Sequence, residues 1–212
     1  SLPATVPAVT NRYAIIGDFG QAGANEQAVA AMIDGWNVDF IVTVGDNSYN
    51  ATPIDQNIGQ YYHSYIGNYS GAYGAGADSN RFFPALGNHD YTDGGGLNAY
   101  LNYFTLPGNE RYYSFVSGPV QFLVINSNFL EPDGFTSSSA QALEMYWQIR
   151  HTDYPFRVAL MHHAPYSSCT SHGSSDWMQW PFVEWGADVL FCGHDHVYER
   201  LDIGIPMFIN GV

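Results

Sequence analysis

The sequence contains no lysine, and its six positive side chains, Arg12, Arg81, Arg111, Arg150, Arg157 and Arg200, face 20 acidic ones for a formal net charge of -14. That imbalance excludes a basic patch, so nucleic-acid duplexes and anionic lipid surfaces are not expected as partners. No run approaches the roughly 18 apolar residues that span a bilayer. Ser1-Leu2-Pro3-Ala4-Thr5 lacks the basic and apolar character of a targeting segment, so the chain reads as soluble and already processed. Cysteine is scarce: Cys169 and Cys192 are the whole supply, and they leave a disulfide and two free thiols equally open. The glycosylation patterns Asn50-Ala51-Thr52 and Asn68-Tyr69-Ser70 are too short to carry an inference.

What is present is 212 residues that are 46% hydrophobic, enough to bury a full core and too apolar for a disordered tail. No composition shift or repeat divides the chain, so one domain over residues 1–212 is expected, with a closing strand or loop beyond Val212. Short apolar runs rich in β-branched and aromatic residues read as buried strands: Tyr13 to Ile16, Phe40 to Val44, Val120 to Ile125, Val158 to Met161, Val189 to Cys192 and Pro206 to Ile209. Helical spacing predicts one helix over about Glu26 to Trp36, apolar at Val29, Met32, Ile33 and Trp36, and another over about Ala140 to His151 with Leu143, Trp147 and Arg150 at helical spacing. Strand and helix alternate, which points to an α/β protein.

The strand ends carry the chemistry. Ile15-Ile16 runs into Gly17-Asp18, Val42-Thr43-Val44 into Gly45-Asp46, and Phe82 to Leu86 into Gly87-Asn88-His89-Asp90. Val158 to Met161 runs into His162-His163, and Val189 to Cys192 into Gly193-His194-Asp195-His196. Ligands of open α/β sheets gather outside the carboxyl ends of the strands, so these endings are expected to converge on one crevice. Singly, each Gly-Asp is a common turn and His194-Asp195-His196 a common coincidence; in ordered combination they are specific.

Gly17-Asp18-Phe19-Gly20, Gly45-Asp46-Asn47-Ser48-Tyr49, Gly87-Asn88-His89-Asp90, Val158 to His162 and Gly193-His194-Asp195-His196-Val197-Tyr198-Glu199-Arg200 resemble, in order, the motif blocks of calcineurin-like metallophosphoesterases. Tyr49, three residues after Asp46, narrows the resemblance to purple acid phosphatases. The resemblance implies a four-layer α/β/β/α sandwich that hydrolyses phosphate monoesters by attack of a hydroxide held on two metal ions. It implies that Asp18, Tyr49 and His196 hold one metal, that Asn88, His162 and His194 hold the second, and that Asp46 bridges them. Hard oxygen donors, one a tyrosine whose proton leaves only to a strong Lewis acid, suit Fe(III) at the first position; imidazoles and an amide suit divalent Zn, Fe or Mn at the second. Two ions carrying roughly +5 against -3 from Asp18, Asp46 and Tyr49 leave about +2, an attraction for phosphate that needs no lysine.

The resemblance further implies that His89 contacts phosphate beside Asn88 and that His172 protonates the leaving alcohol. Asp90 is expected to fix the His89 tautomer by accepting its ring proton. Of the adjacent pair His162 and His163, strand alternation allows one ligand; spacing to Tyr166-Ser167 favours His162 and leaves His163 lining the pocket. Small phosphorylated molecules are the expected substrates, and export is inferred from the resemblance and the lysine-free composition. A phosphodiesterase or nucleotide hydrolase on the same centre, and a non-catalytic phosphate binder, remain the other readings.

Outside the motifs, His63 and His151 read as surface or helix-end residues. Trp147, Trp177, Trp180 and Trp185 read as core, with Trp177 or Trp180 as a second choice for the pocket wall. Tyr61, Tyr65 and Tyr69 read as one face of an amphipathic helix rather than a substrate platform. Arg200 reads either as a phosphate contact or, better, as the partner of a nearby acid.

Overall fold

The computed structural model describes residues 11–211, so the readings made at Ser1 to Thr5 and at Val212 lie outside it. Two sheets form the centre. The first is wholly parallel, β1 (Tyr13–Ile16), β2 (Phe40–Thr43) and β3 (Phe82–Pro84), in the order β1-β2-β3. The second has six strands in the order β4-β5-β6-β7-β9-β8: β4 (Tyr113–Ser117), β5 (Val120–Val124), β6 (Phe156–Leu160), β7 (Val189–Cys192), β8 (Tyr198–Asp202) and β9 (Pro206–Asn210). Its inner four strands are parallel, and β4 and β8 close its two edges antiparallel.

Period-two alternation sorts the side chains of β5 between two cores. Phe122 and Val124 turn toward the first sheet, where Phe122 meets the rings of Tyr13 and Phe40 at 5.1 and 5.4 Å. Leu123 of β5 and Ile125 just beyond it turn the other way, onto Ala142, Met145 and Ile149 of the Ala140–Arg150 helix. The Ala24–Trp36 helix and the helical stretch of residues 55–65 contribute Ala30, Ile33, Ile58 and Tyr62 to the core around the first sheet. The result is the expected α/β layering, with both sheets presenting carboxyl ends on the same side.

Three sequence readings need correction, and one left open is decided. Ala140–Arg150 buries Gln141, Ala142, Met145 and Ile149, leaving Leu143 and Trp147 more than half exposed; Trp147 lies on the ring of His151 at 4.3 Å instead of in the core. Ala24–Trp36 likewise buries Glu26, Ala30 and Ile33 and exposes Met32 and Trp36. The helix through Tyr61 ends at Tyr65, because Ile66 turns extended, so Tyr69 is not on its face. Cys169 and Cys192 are both free, the latter fully buried in β7.

Candidate metal centre

Five strand ends meet at the seam between the sheets, and their loops are stitched together by backbone. Asp18 N–H donates to Gly45 O at 3.0 Å and Gly193 N–H to His162 O at 2.9 Å. His194 N–H donates to Asp18 Oδ2 at 3.0 Å, and His89 N–H to Asp46 Oδ1 at 2.9 Å. Asp18, Asp46 and His194 all hold left-handed backbone, with φ of 57, 53 and 72°. Such conformations are uncommon outside glycine and persist where surroundings impose them, characteristically at functional sites. Two glycines permit the approach: a Cβ on Gly45, whose φ is +92°, would lie 2.6 Å from His162 Nδ1, and one on Gly193 would lie 2.6 Å from Asp18 Oδ2.

Seven side chains present their donor atoms as two groups. In the first, Tyr49 Oη lies 3.3 Å from Asp18 Oδ1, 3.1 Å from Asp46 Oδ2 and 3.4 Å from His196 Nε2. In the second, His162 Nε2 lies 3.1 Å from Asn88 Oδ1, 3.2 Å from His194 Nδ1 and 3.3 Å from Asp46 Oδ2. Asp46 Oδ2 therefore belongs to both. Bonds of about 2.0–2.2 Å to one ion place neighbouring ligands about 3.0–3.5 Å apart, which is the spacing found here.

The proton count also calls for cations. His162 Nδ1–H donates to Val44 O at 2.8 Å, so a neutral ring turns its Nε2 lone pair toward Asp46 Oδ2 and Asn88 Oδ1, both electron-rich. The floor of the cluster is dry: His162 is fully buried and Asp18 and Asp46 almost so, while Tyr49, Asn88 and His194 are half-buried and His196 is exposed. The donor set and its burial fit two metal ions.

Without them, protons hold the cluster. Burial opposes charging His162, but Asp46 and Asp18 outweigh it and lift the imidazole to about 9. Burial likewise raises the Asp46 carboxyl, yet the His162 charge and hydrogen bond win and hold it well below the usual range. Burial, then the Asp18 and Asp46 charges, push the Tyr49 hydroxyl far up, so it loses its proton here only to a strong Lewis acid. Burial and the neighbouring His162 depress His194 to about 4, and the same two causes depress His163 to about 2; both rings are neutral at ordinary pH.

Residues 11–198 match the sequence profile of the calcineurin-like phosphoesterases. The chain belongs to that family. It is 25% identical to purple acid phosphatase 7 of Arabidopsis thaliana, over 89% of this chain and 65% of that one. It is equally, 25%, identical to purple acid phosphatase 15 of the same plant, over 94% of this chain and 42% of that one. The chain thus spans less than two thirds of the length of these relatives. Solved structures share the fold at low identity. GAP50, described as the anchor in the inner membrane complex of Plasmodium, superposes with a TM-score of 0.68 at 20% identity, over 95% of this chain and 71% of that one. The purple acid phosphatase PPD1 from yellow lupin seeds gives 0.66 at 16% identity, over 94% and 43%.

Around the two donor groups, this calcineurin-like phosphoesterase places the other expected residues unevenly. His89 lies beside the cluster, its ring 4.6 Å from that of Tyr49, but its Nδ1–H donates to Asp93 at 2.6 Å, not to Asp90. Asp90 is turned inward and accepts from Gly87 N, Asn47 N and Asn47 Nδ2 at 2.8, 3.0 and 2.9 Å; it holds the loops that carry Asp46 and Asn88. Asp93 sits one helical turn after His89, so i,i+4 spacing was the signal for it.

His163 lies behind the second group, its Nδ1 2.8 Å from Ser127 Oγ and its ring against His194 and Trp177 at 4.4 and 5.6 Å. Its ring also falls with His162 and His194 in a trio close enough to share an ion, but Asp46 and Asn88 converge on His162. Trp177 is therefore at the pocket wall, partly exposed, while Trp180 is buried. His172 is exposed with its ring 4.1 Å from that of His194. Arg200 follows neither reading: its guanidinium lies over the ring of Phe208, its partner across β8 and β9, at 5.7 Å.

Proposed function

We propose that this chain is a two-metal hydrolase of phosphate monoesters, with Fe(III) at Asp18, Asp46, Tyr49 and His196 and divalent Zn, Fe or Mn at Asp46, Asn88, His162 and His194. One observation carries the reading: two donor groups, oxygen-rich and imidazole-rich, that share Asp46 Oδ2. When bound, such a pair neutralises phosphoryl oxygens and acidifies water, supplying both electrophile and nucleophile. The chain's own residues then orient and move protons. Asn88 and His89 face the phosphate, with Asp93 fixing the His89 ring, and His172 delivers a proton to the departing alkoxide. His163, neutral and tied to Ser127, fixes the His194 side of the wall.

Elemental analysis of chelator-free protein, paired with turnover of p-nitrophenyl phosphate and bis(p-nitrophenyl) phosphate, tests the proposal. Two ions per chain, about one of them iron, with faster monoester turnover are expected. Faster diester turnover would move the assignment to a phosphodiesterase on the same centre. No metal after reconstitution would sink it.

A further inference from the structure

The proposed acid, His172, sits on a segment with little of its own to hold it. Residues 167–175, Ser-Ser-Cys-Thr-Ser-His-Gly-Ser-Ser, are mostly exposed, with no large apolar side chain to bury. An acid placed on so polar a loop needs a fixed tether, since proton transfer requires the donor within hydrogen-bond reach of the leaving oxygen. The tether is Asp195, the residue between His194 and His196. It is 1% exposed, and its two oxygens both point at the loop: Ser167 Oγ–H donates to Oδ2 at 2.5 Å, and His172 N–H donates to Oδ1 at 3.1 Å. Ser167 Oγ in turn accepts from Cys169 N–H at 3.1 Å, which extends the grip along the segment.

We infer that Asp195 is the positioning residue of His172, a carboxylate that locks the acid-bearing loop to the strand end carrying His194 and His196. The consequence is geometric coupling. The residue whose imidazole lies 4.1 Å from the His194 ring is held, through its backbone N–H, by the side-chain carboxylate of the residue next to His194. A cleft of about 250 Å³ lined by Cys169, Ser171, His172, His196 and Val197 opens between acid and cluster, room for a leaving group. A second tie, Ser168 N–H to Glu199 at 3.0 Å, holds the loop further from His172 and supplies the comparison.

This inference rests on the phosphoesterase reading, so its test has a part that does not. In metal-free protein, amide hydrogen exchange at His172 should quicken in Asp195→Ala and stay unchanged in Glu199→Gln. In metal-loaded protein, kcat/KM is compared between p-nitrophenyl phosphate, whose leaving group needs no acid, and glycerol phosphate, whose alkoxide does. Asp195→Ala should lose about 10–100-fold more on glycerol phosphate than on the nitrophenyl ester, matching His172→Ala in pattern. The double variant should be no worse than His172→Ala alone. Asp195→Asn, which keeps an acceptor oxygen, should recover part of the loss and serves if the alanine variant fails to fold.

Equal losses on both esters, together with lost metal, would make Asp195 a support of the metal site and overturn the inference. Unchanged exchange at His172 would overturn it outright. Wild-type protein inert toward both esters would instead remove the phosphoesterase reading, with the exchange result still deciding the tether.

Discussion

The two sheets contribute different chemistry to one site. Every oxygen donor comes from the ends of the three-stranded sheet: Asp18 after β1, Asp46 and Tyr49 after β2, Asn88 after β3. Every imidazole comes from the six-stranded sheet, His162 after β6 and His194 and His196 after β7. Each donor group nevertheless draws on both sheets, so neither half of the fold can hold an ion by itself. The carboxylates lie on one side of the seam and the imidazoles on the other. Removing Asp46, which both groups share, should therefore change the whole centre, whereas removing a donor that belongs to one group should change only that position.

The largest expected effect is at Asp46, the shared oxygen. Asp46→Ala should abolish turnover, far beyond the about 10–100-fold that residues supporting a ligand typically cost, and lower metal content at both positions with far-UV circular dichroism unchanged. More than a few per cent of residual activity would break the assignment. The contrast comes next. His162→Ala should lose the divalent ion and keep the iron, and Tyr49→Phe should lose iron selectively. If both variants lose the same ion, the division into two donor groups is wrong.

How much of this was legible in the sequence depends on what each contact needs. The inner strands announce themselves as apolar runs because both their faces are buried, but β4 and β8 were missed. They are edges, and Tyr198–Asp202, with three charged residues, alternates exposed and half-buried and offers no run to find. Both helix faces were misjudged for one reason: each buries a polar residue. Gln141 is inside because its amide donates to Asn126 O and Gly134 O and its oxygen accepts from Asn126 N, which no periodicity reveals. That these seven side chains meet was legible through their motifs. Their supports were not, since Ser127 lies 36 residues from His163 and Asp195 lies 28 from Ser167, distances only the fold closes.

Asp90 and Asp93 offer a smaller test on the oxygen side. Asp93→Asn, which leaves the His89 ring without its carboxylate, should lower kcat/KM about 10-fold and leave stability unchanged. Asp90→Ala should do the reverse in emphasis: it strands three donors, on Gly87 and Asn47, and should cost about 1–3 kcal/mol of stability by urea denaturation. A catalytic loss at Asp90 with full stability, and none at Asp93, would restore the sequence reading.

A last effect, on stability alone, lies beneath the same oxygen-bearing side, in a helix packed on the first sheet. Glu26 is 3% exposed, neither carboxyl oxygen has a hydrogen-bond partner, and burial lifts its acid from 4.5 to about 9. Its place in the first helical turn favours the anion by up to about 1 kcal/mol, less than unpartnered burial of a charge costs, so the neutral acid wins. An acid with a raised folded pKa contributes fully below its unfolded value and loses that contribution as pH climbs through the folded one. Between pH 4.5 and about 9, wild-type stability should therefore fall relative to Glu26→Gln, by a slope approaching about 1.4 kcal/mol per pH unit. Urea denaturation of both proteins at equal metal content reads the difference: parity at pH 4, the glutamine variant ahead at pH 8. A difference that does not move with pH would mean Glu26 is charged in the folded protein, and that the oxygen-bearing side carries one more negative charge than its geometry allows.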